Sequence, residues 1–226
     1  MTNYEQKIIR TDRQLFLDDF WICNPRNVRR ILNKPERREE VLVQDRPWEQ
    51  DGTLSCFGYF KDGDRYRMWY RCDDTADGNP RFTAYAESKD GINWEKPSLG
   101  IVEYKGSKDN NLVSLGDQGM DLTPFRDDNP NAADDERYKG VVSPHAGKAM
   151  YAVVSPDGLR WRLKQPEPIL DDPPFDTQNI AFWDTWREEY VFYTRGVRNP
   201  TPEETSEPGK DTFIGGVRWI RRATSD

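Results

Sequence analysis

Ser88-Lys89-Asp90-Gly91-Ile92-Asn93-Trp94 reads Ser-x-Asp-Gly-x-x-Trp, and Ser155-Pro156-Asp157-Gly158-Leu159-Arg160-Trp161 reads the same. The two serines stand 67 positions apart. Another 70 positions on, Ser225-Asp226 follows Ala223-Thr224 much as Ser88 follows Ala86-Glu87, so a third copy begins there. The motif has a physical logic. Short Ser and Asp side chains bond the backbone of a tight turn. Gly supplies a positive φ. The Trp then carries the next strand back into a core. Repeats at such a period decide the fold before any local reading does.

The flanks repeat as well. Short strand-like runs precede each copy: Phe82-Thr83-Ala84-Tyr85-Ala86, Ala149-Met150-Tyr151-Ala152-Val153-Val154 and Val217-Arg218-Trp219-Ile220. Before those stand Tyr66-Arg67-Met68-Trp69-Tyr70, Tyr138-Lys139-Gly140-Val141-Val142 and Tyr190-Val191-Phe192-Tyr193-Thr194. Earlier still come Leu54-Ser55-Cys56-Phe57-Gly58-Tyr59-Phe60, Leu122-Thr123-Pro124-Phe125 and Asn179-Ile180-Ala181-Phe182-Trp183. β-branched and aromatic residues between polar turns mark strands. Strand, turn, strand, loop, strand, Asp-Gly turn, Trp strand is a four-stranded meander, which predicts an all-β chain folded as blades of a β-propeller. The expected division is one partial propeller domain over 1–226. It comprises an N-terminal strand and connector (1–44), blades over 45–105 and 106–168, and an incomplete blade over 169–226. Three blades do not close a ring, which suggests part of a longer propeller whose open blade edges invite homo-oligomers.

Composition agrees with a packed, turn-rich fold. Aromatics make up 12% of the 226 residues, far more than a disordered chain carries, and 16 Gly and 16 Pro argue for turns over long helices. The net charge of -7 disfavours nucleic acid, which rewards cations through counterion release. No run of 18 apolar residues exists to span a membrane. The N-terminus as written, Met1-Thr2-Asn3-Tyr4-Glu5-Gln6-Lys7, carries no signal peptide. A cytoplasmic location is the expectation, or a secreted or periplasmic one if a leader has been trimmed. Cys23, Cys56 and Cys72 are expected as buried free thiols, with no metal-ligand spacing among them. No cofactor motif is visible; no phosphate-binding glycine loop occurs. Asp73-Asp74-Thr75-Ala76-Asp77-Gly78 lacks the terminal Glu of a calcium loop and reads as a turn. His145, the only His, leaves no triad or His-rich metal site and reads as a loop residue. Residues 198–211 read as a long polar loop, and 24–40 as a basic connector.

In a propeller the first strand of each blade lines the central channel, and functional groups gather where those strands begin. The segments there are Asp45-Arg46-Pro47-Trp48-Glu49-Gln50-Asp51, Gln118-Gly119-Met120-Asp121-Leu122-Thr123-Pro124-Phe125-Arg126-Asp127-Asp128, and Phe175-Asp176-Thr177-Gln178-Asn179-Ile180-Ala181-Phe182-Trp183. Each sets carboxylates beside aromatics. Converging carboxylates are what glycosidic cleavage requires: one protonates the leaving oxygen, another acts as base or nucleophile. A third can orient hydroxyls and raise the acid's pKa. Trp48 and Trp183 are placed to stack on sugar faces. Because 40 residues are Asp or Glu, each of these carboxylates has a solvated or turn role as its alternative. Asp18-Asp19, in the apolar run Leu15-Phe16-Leu17-Asp18-Asp19-Phe20-Trp21-Ile22, is a further candidate on an expected opening strand.

Several runs together carry a family resemblance. Leu15-Phe16-Leu17-Asp18-Asp19, Tyr66-Arg67-Met68-Trp69-Tyr70, Tyr85 to Trp94, Gly106-Ser107-Lys108-Asp109-Asn110-Asn111, Glu136-Arg137-Tyr138-Lys139 and Asp176 to Trp183 resemble bacterial proteins similar to the N-terminal domain of glycoside hydrolase family 32. That resemblance implies a five-bladed propeller of the furanosidase type with three acids in a funnel. By position they are Glu49, Asp121 or Asp127, and Asp176. Arg126-Asp127-Asp128 approximates the family's R-D-P motif, while its W-M-N-D-P motif is absent. The resulting expectation is a glycoside hydrolase acting on a plant or algal oligosaccharide. Glu49 and Asp176 would be its acid/base pair, Asp121 or Asp127 would orient substrate, and Trp48, Arg126, Gln178, Asn179 and Trp183 would bind sugar. A non-catalytic carbohydrate-binding propeller and an inactive fragment are the rival readings.

Overall fold

The computed structural model describes residues 18, 20–22, 26–50, 54–73, 81–115, 121–144, 148–175, 178–199, 201, 212–213 and 216–225. The chain falls into two compact units, Met1–Glu39 and Glu40–Asp226. In the first, residues 15–17 of the expected opening strand lie outside the described residues. Asp18 accepts the Phe20 amide at 2.9 Å, closing an Asx turn that competes with extended backbone, and Phe20 meets Trp21 edge to face. Asp19 and Cys23 lie outside the described residues.

The second unit is all-β with almost no helix. Sheet 1 runs β1 (Ser55–Asp62), β2 (Arg65–Asp73), β3 (Arg81–Ser88) and β4 (Trp94–Glu95), and β5 (Leu112–Leu115) also pairs with β3. Sheet 2 runs β6 (Thr123–Arg126), β7 (Tyr138–Val142), β8 (Tyr151–Ser155) and β9 (Arg162–Leu163). Sheet 3 has β10 (Ile180–Asp184), β11 (Glu189–Arg198), β12 (Thr212–Phe213) and β13 (Gly216–Ser225), in the order β10-β11-β13-β12. All pairings are antiparallel. Successive antiparallel meanders of this kind are consistent with a propeller-like fold. No described helix is long and apolar enough to cross a membrane.

Both Ser-x-Asp-Gly-x-x-Trp turns close by the same bonds. Asp90 Oδ1 accepts the Ile92 and Asn93 amides at 2.8 Å, and Asp157 Oδ1 accepts those of Leu159 and Arg160 at 2.8 Å. Ser88 and Ser155 each accept a glycine amide at 2.9 Å, and Gly91 and Gly158 sit at φ 79° and 76°. The Asn93 amide, first among several donors, holds the Asp90 carboxyl well below its usual range.

Strand register makes the repeat quantitative. Tyr66 pairs with Ser88, Tyr138 with Ser155, and Tyr190 with Ser225. One strand further in, Lys61 faces Tyr66, Arg126 faces Tyr138, and Trp183 faces Tyr190. Phe60-Lys61-Asp62, Phe125-Arg126-Asp127 and Phe182-Trp183-Asp184 therefore occupy equivalent places.

Alternation along β2 splits its side chains between two cores. Met68, Tyr70 and Cys72 pack with Trp48, Phe82, Val102, Tyr104 and Leu112 on one face of sheet 1. Trp69 and Tyr85 on the other face pack against Leu122, Val142 and Val153 of the sheet 2 segment. Val141, Met150, Phe175 and Phe192 fill the space between sheets 2 and 3. Of the cysteines, Cys72 is buried as expected, but Cys56 is exposed because β1 turns it away from both clusters.

Candidate functional site

Strands β1, β6 and β10 approach one another at their beginnings. A Cβ on Gly58 would lie 2.6 Å from Pro124 Cδ, so only glycine allows β1 and β6 to come this close. From the start of β10, Gln178 Nε2 donates to the Phe57 carbonyl at 2.9 Å. These contacts bring Phe57 and Gln178 together near the starts of β1 and β10, with the start of β6 alongside.

Asp121 stands two residues before the start of β6 at φ 58°, a left-handed conformation that Asp and Asn tolerate better than most residues. Its carboxylate is buried and accepts Arg71 Nη1 at 3.1 Å. Burial raises its pKa, and the nearby Arg71 and Arg81 only partly offset that rise. Arg71 lies on β2 with its guanidinium 5.5 Å from the Phe57 ring centroid. Its Nε is 3.9 Å from Asp73 Oδ1, too far for a hydrogen bond. Among the described residues both atoms are buried without a partner. Arg71 was not among the residues singled out from the sequence, and Asp73, read there as the start of a turn, is the last residue of β2. Their signal was present: β2 alternates Arg67, Trp69, Arg71 and Asp73 onto one face, and charge at the end of an aromatic stripe asks for a partner.

Glu49 stands elsewhere. It ends a 3₁₀ turn, Pro47–Glu49, and is fully buried. Oε1 accepts the Tyr70 hydroxyl at 2.6 Å, while Oε2 accepts Lys96 Nζ at 2.7 Å and the Asp45 and Arg46 amides at 3.1 and 3.2 Å. Those bonds leave no oxygen facing a substrate. Trp48 is equally enclosed: its indole donates to Asn111 Oδ1 at 2.8 Å and meets Tyr104 edge to face, so neither face is open to a sugar.

Asp127 lies past the far end of β6 from Asp121, about 20 Å along an extended chain of this length. Its buried carboxylate is ion-paired with Lys139 and accepts the Tyr190 hydroxyl at 2.8 Å. Asp62 repeats the arrangement one sheet earlier with Arg67 and Tyr138. Arg126 joins the Asp62 side at 3.4 Å. Asn179 is buried, its amide spanning Phe175 O at 3.1 Å and the Thr194 hydroxyl at 2.6 Å. Trp183 packs edge to face on Tyr190 with centroids 4.7 Å apart. Asp176, Thr177 and His145 lie outside the described residues, as do 74–80 and 202–211. Of the named candidates, Gln178 meets Phe57 and Asp121 meets Arg71 beside that ring, whereas Trp48, Glu49, Arg126, Asp127, Asn179 and Trp183 are held in other contacts.

No protein-family model matches the chain. Two Mycobacterium tuberculosis proteins, uncharacterized protein MT1551 of strain CDC 1551 / Oshkosh and uncharacterized protein Rv1502 of strain H37Rv, are each 30% identical over 152 residues. The match takes in 65% of this chain and 44% of each of those proteins, so the chain spans less than half their length. Among solved structures, fructan 1-exohydrolase IIa from Cichorium intybus superposes with a TM-score of 0.44 at 12% identity, over 82% of this chain and 34% of that one. A substituted form of the same enzyme in complex with 1-kestose gives 0.42 at 12% identity, with the same coverage.

Proposed function

We propose that the three sheets are blades of a β-propeller of the five-bladed furanosidase type and that its axial mouth binds a carbohydrate, Asp121 serving as the proton-handling carboxylate of a glycoside hydrolase. The observation that carries this reading is the pairing of Asp121 with Arg71 at the start of the inner strands, beside a guanidinium Nε and an Asp73 oxygen that have no hydrogen-bond partner among the described residues. Sugar hydroxyls both donate and accept, so one ring can satisfy both orphan atoms. A buried carboxyl with a raised pKa is the form in which a general acid works near neutrality. Asp176, close in sequence to Gln178 at the mouth, remains the proposed second carboxylate; Glu49, with both oxygens engaged, supports the core instead.

A non-catalytic carbohydrate-binding propeller is the second reading, favoured by the enclosure of Glu49. Calorimetry and product analysis with furanose-containing plant and algal oligosaccharides separate the two. Hydrolysis abolished by Asp121→Asn and by Asp176→Asn supports the first. Binding that needs Arg71, without product, supports the second. Neither binding nor product from a folded chain removes both.

A further inference from the structure

The pairing of β1 with β2 slips at one residue. Cys56 pairs with Tyr70 and Gly58 with Trp69, so Phe57 is the extra residue of a β-bulge. Strict alternation would turn either Phe57 or Gly58 away from sheet 2. The bulge sends both the same way. The Phe57 ring comes to 5.5 Å from the Arg71 guanidinium, on the face that Trp69 presents to sheet 2, and a Cβ on Gly58 would meet Pro124 of β6. Bulges re-aim side chains in this manner.

Phe57 is buried, and its carbonyl accepts Gln178 Nε2 at 2.9 Å across 121 positions of sequence. Four residues from three sheets thus stand in series. Gln178, two residues before the start of β10, holds Phe57. The Phe57 ring lies against Arg71, and Arg71 Nη1 donates to Asp121. Arg71 Nε has no hydrogen-bond partner among the described residues, so the ring supplies a restraint that this atom does not. A guanidinium is attracted to an aromatic face, the more so where water is excluded.

We infer that Gln178 is a positioning residue: acting through the Phe57 bulge, it holds the Arg71 guanidinium against the Asp121 carboxylate. The role rests on Asp121 being the proton-handling group proposed above. Asp121 itself reports the coupling. Burial raises its pKa, Arg71 lowers it by charge and by its hydrogen bond, Arg81 of β3 lowers it by charge, and Asp73 of β2 opposes them. A guanidinium that loosens gives up part of its share, and the carboxyl then titrates higher.

The test is a carbon-13 NMR titration of Asp121 in the whole chain, with the signal assigned by Asp121→Asn. Arg71→Met should raise the midpoint by about 1 unit or more, as expected for a lost opposite charge. Gln178→Ala and Phe57→Leu should each raise it by roughly half a unit, since they loosen that charge without removing it. Gln178 is exposed, so its truncation spares the cores. Phe57→Tyr keeps a ring beside the guanidinium and should keep the wild-type midpoint. Tyr190→Phe, which removes a contact between sheets 2 and 3 at the far end of β6, should keep it too. An unmoved midpoint in Gln178→Ala overturns the inference. So does an equal rise in Tyr190→Phe, because general docking of sheet 3 would then be the cause. A rise in Gln178→Ala without any carbohydrate hydrolysis upholds the coupling and removes the proposed activity alone.

Discussion

The hydroxyl of Tyr190 on β11 donates to Asp127 Oδ2 at 2.8 Å, and it repeats the bond that Tyr138 makes to Asp62 one sheet earlier. In each case a carboxylate at the end of one sheet's first strand is paired with a cation on its second strand, Lys139 for Asp127 and Arg67 for Asp62. The next sheet then supplies the tyrosine. Consecutive sheets are therefore joined by a repeated charged latch as well as by apolar packing. Removing one partner of a buried ion pair leaves the other charge uncompensated, at a cost of about 3 to 5 kcal/mol. Asp127→Ala should lower unfolding stability by that order, read as a urea midpoint shift in tryptophan fluorescence. Tyr190→Phe, which removes only a hydroxyl, should cost about 0.5 to 1.5 kcal/mol. A loss below about 1 kcal/mol for Asp127→Ala would mean that the latch does not hold the sheets.

Gly91 and Gly158 allow the turn itself to be separated from its clamp. Both sit at strongly positive φ, where a Cβ costs about 1 to 2 kcal/mol. At Gly91 the added Cβ would find Tyr66 at 3.7 Å, an ordinary contact. At Gly158 it would find Trp69 Cζ2 at 3.0 Å and Arg67 at 3.2 Å, in side chains held by their own bonds. Gly158→Ala should therefore destabilise more than Gly91→Ala, and pairing it with Trp69→Ala should recover part of the difference. Equal losses for the two alanine variants would contradict the clamp.

The blade repeat was legible because its turn is written in one unbroken stretch at near-constant spacing. The Phe-x-Asp and Tyr latch is just as regular in space but escaped the sequence. Asp62 and its partner Tyr138 stand 76 positions apart, whereas Asp127 and Tyr190 stand 63 apart, so no fixed period links them. Asp127, expected at the mouth, is engaged with Lys139 and Tyr190 in the latch. Glu49 precedes β1, where channel residues are expected, and Pro47 starts a 3₁₀ turn that folds its carboxylate back onto the Asp45 and Arg46 amides and Lys96, contacts the sequence does not announce. Leu112–Leu115, which pairs with β3, stands outside the repeated strand pattern, so the repeat did not mark it as a strand although Asp109-Asn110-Asn111 and Gly116-Asp117 flank it. Arg71 and Asp121 meet across fifty positions, a relation that only folding reveals.

Glu49 and Lys96 form an enclosed pair, with side-chain exposures of 0% and 5%. Glu49→Gln should lower stability by a few kcal/mol, in the range of about 3 to 5 for a broken buried pair. It should leave carbohydrate affinity per folded molecule unchanged. Denaturation and calorimetry on the same samples check both halves. A variant of normal stability that had lost affinity would return Glu49 to the mouth.

Asp121 should behave in the opposite sense, and pH decides the sign. Burial raises its folded pKa above the ordinary 3.8, so the folded chain holds this proton more tightly than the unfolded chain does. Its favourable contribution is complete below that value and is lost as pH rises through the folded pKa. Asp62 and Asp157 run the other way. Burial alone would raise them, but Tyr138 and Arg67 around Asp62, and the Arg160 and Leu159 amides around Asp157, bring both below the ordinary value. Their stabilisation is therefore present above about 3.8 and fades as pH falls through the folded pKa. Asp121→Asn, which keeps the left-handed backbone accessible, should match wild type near pH 3 and exceed its stability at pH 7. If Asp121 serves the carbohydrate site, the same variant must lose binding or turnover while gaining stability, the exchange typical of a strained functional group. A stability loss at pH 7 would instead make Asp121 a structural partner of Arg71, and the mouth would lose its proposed proton-handling group.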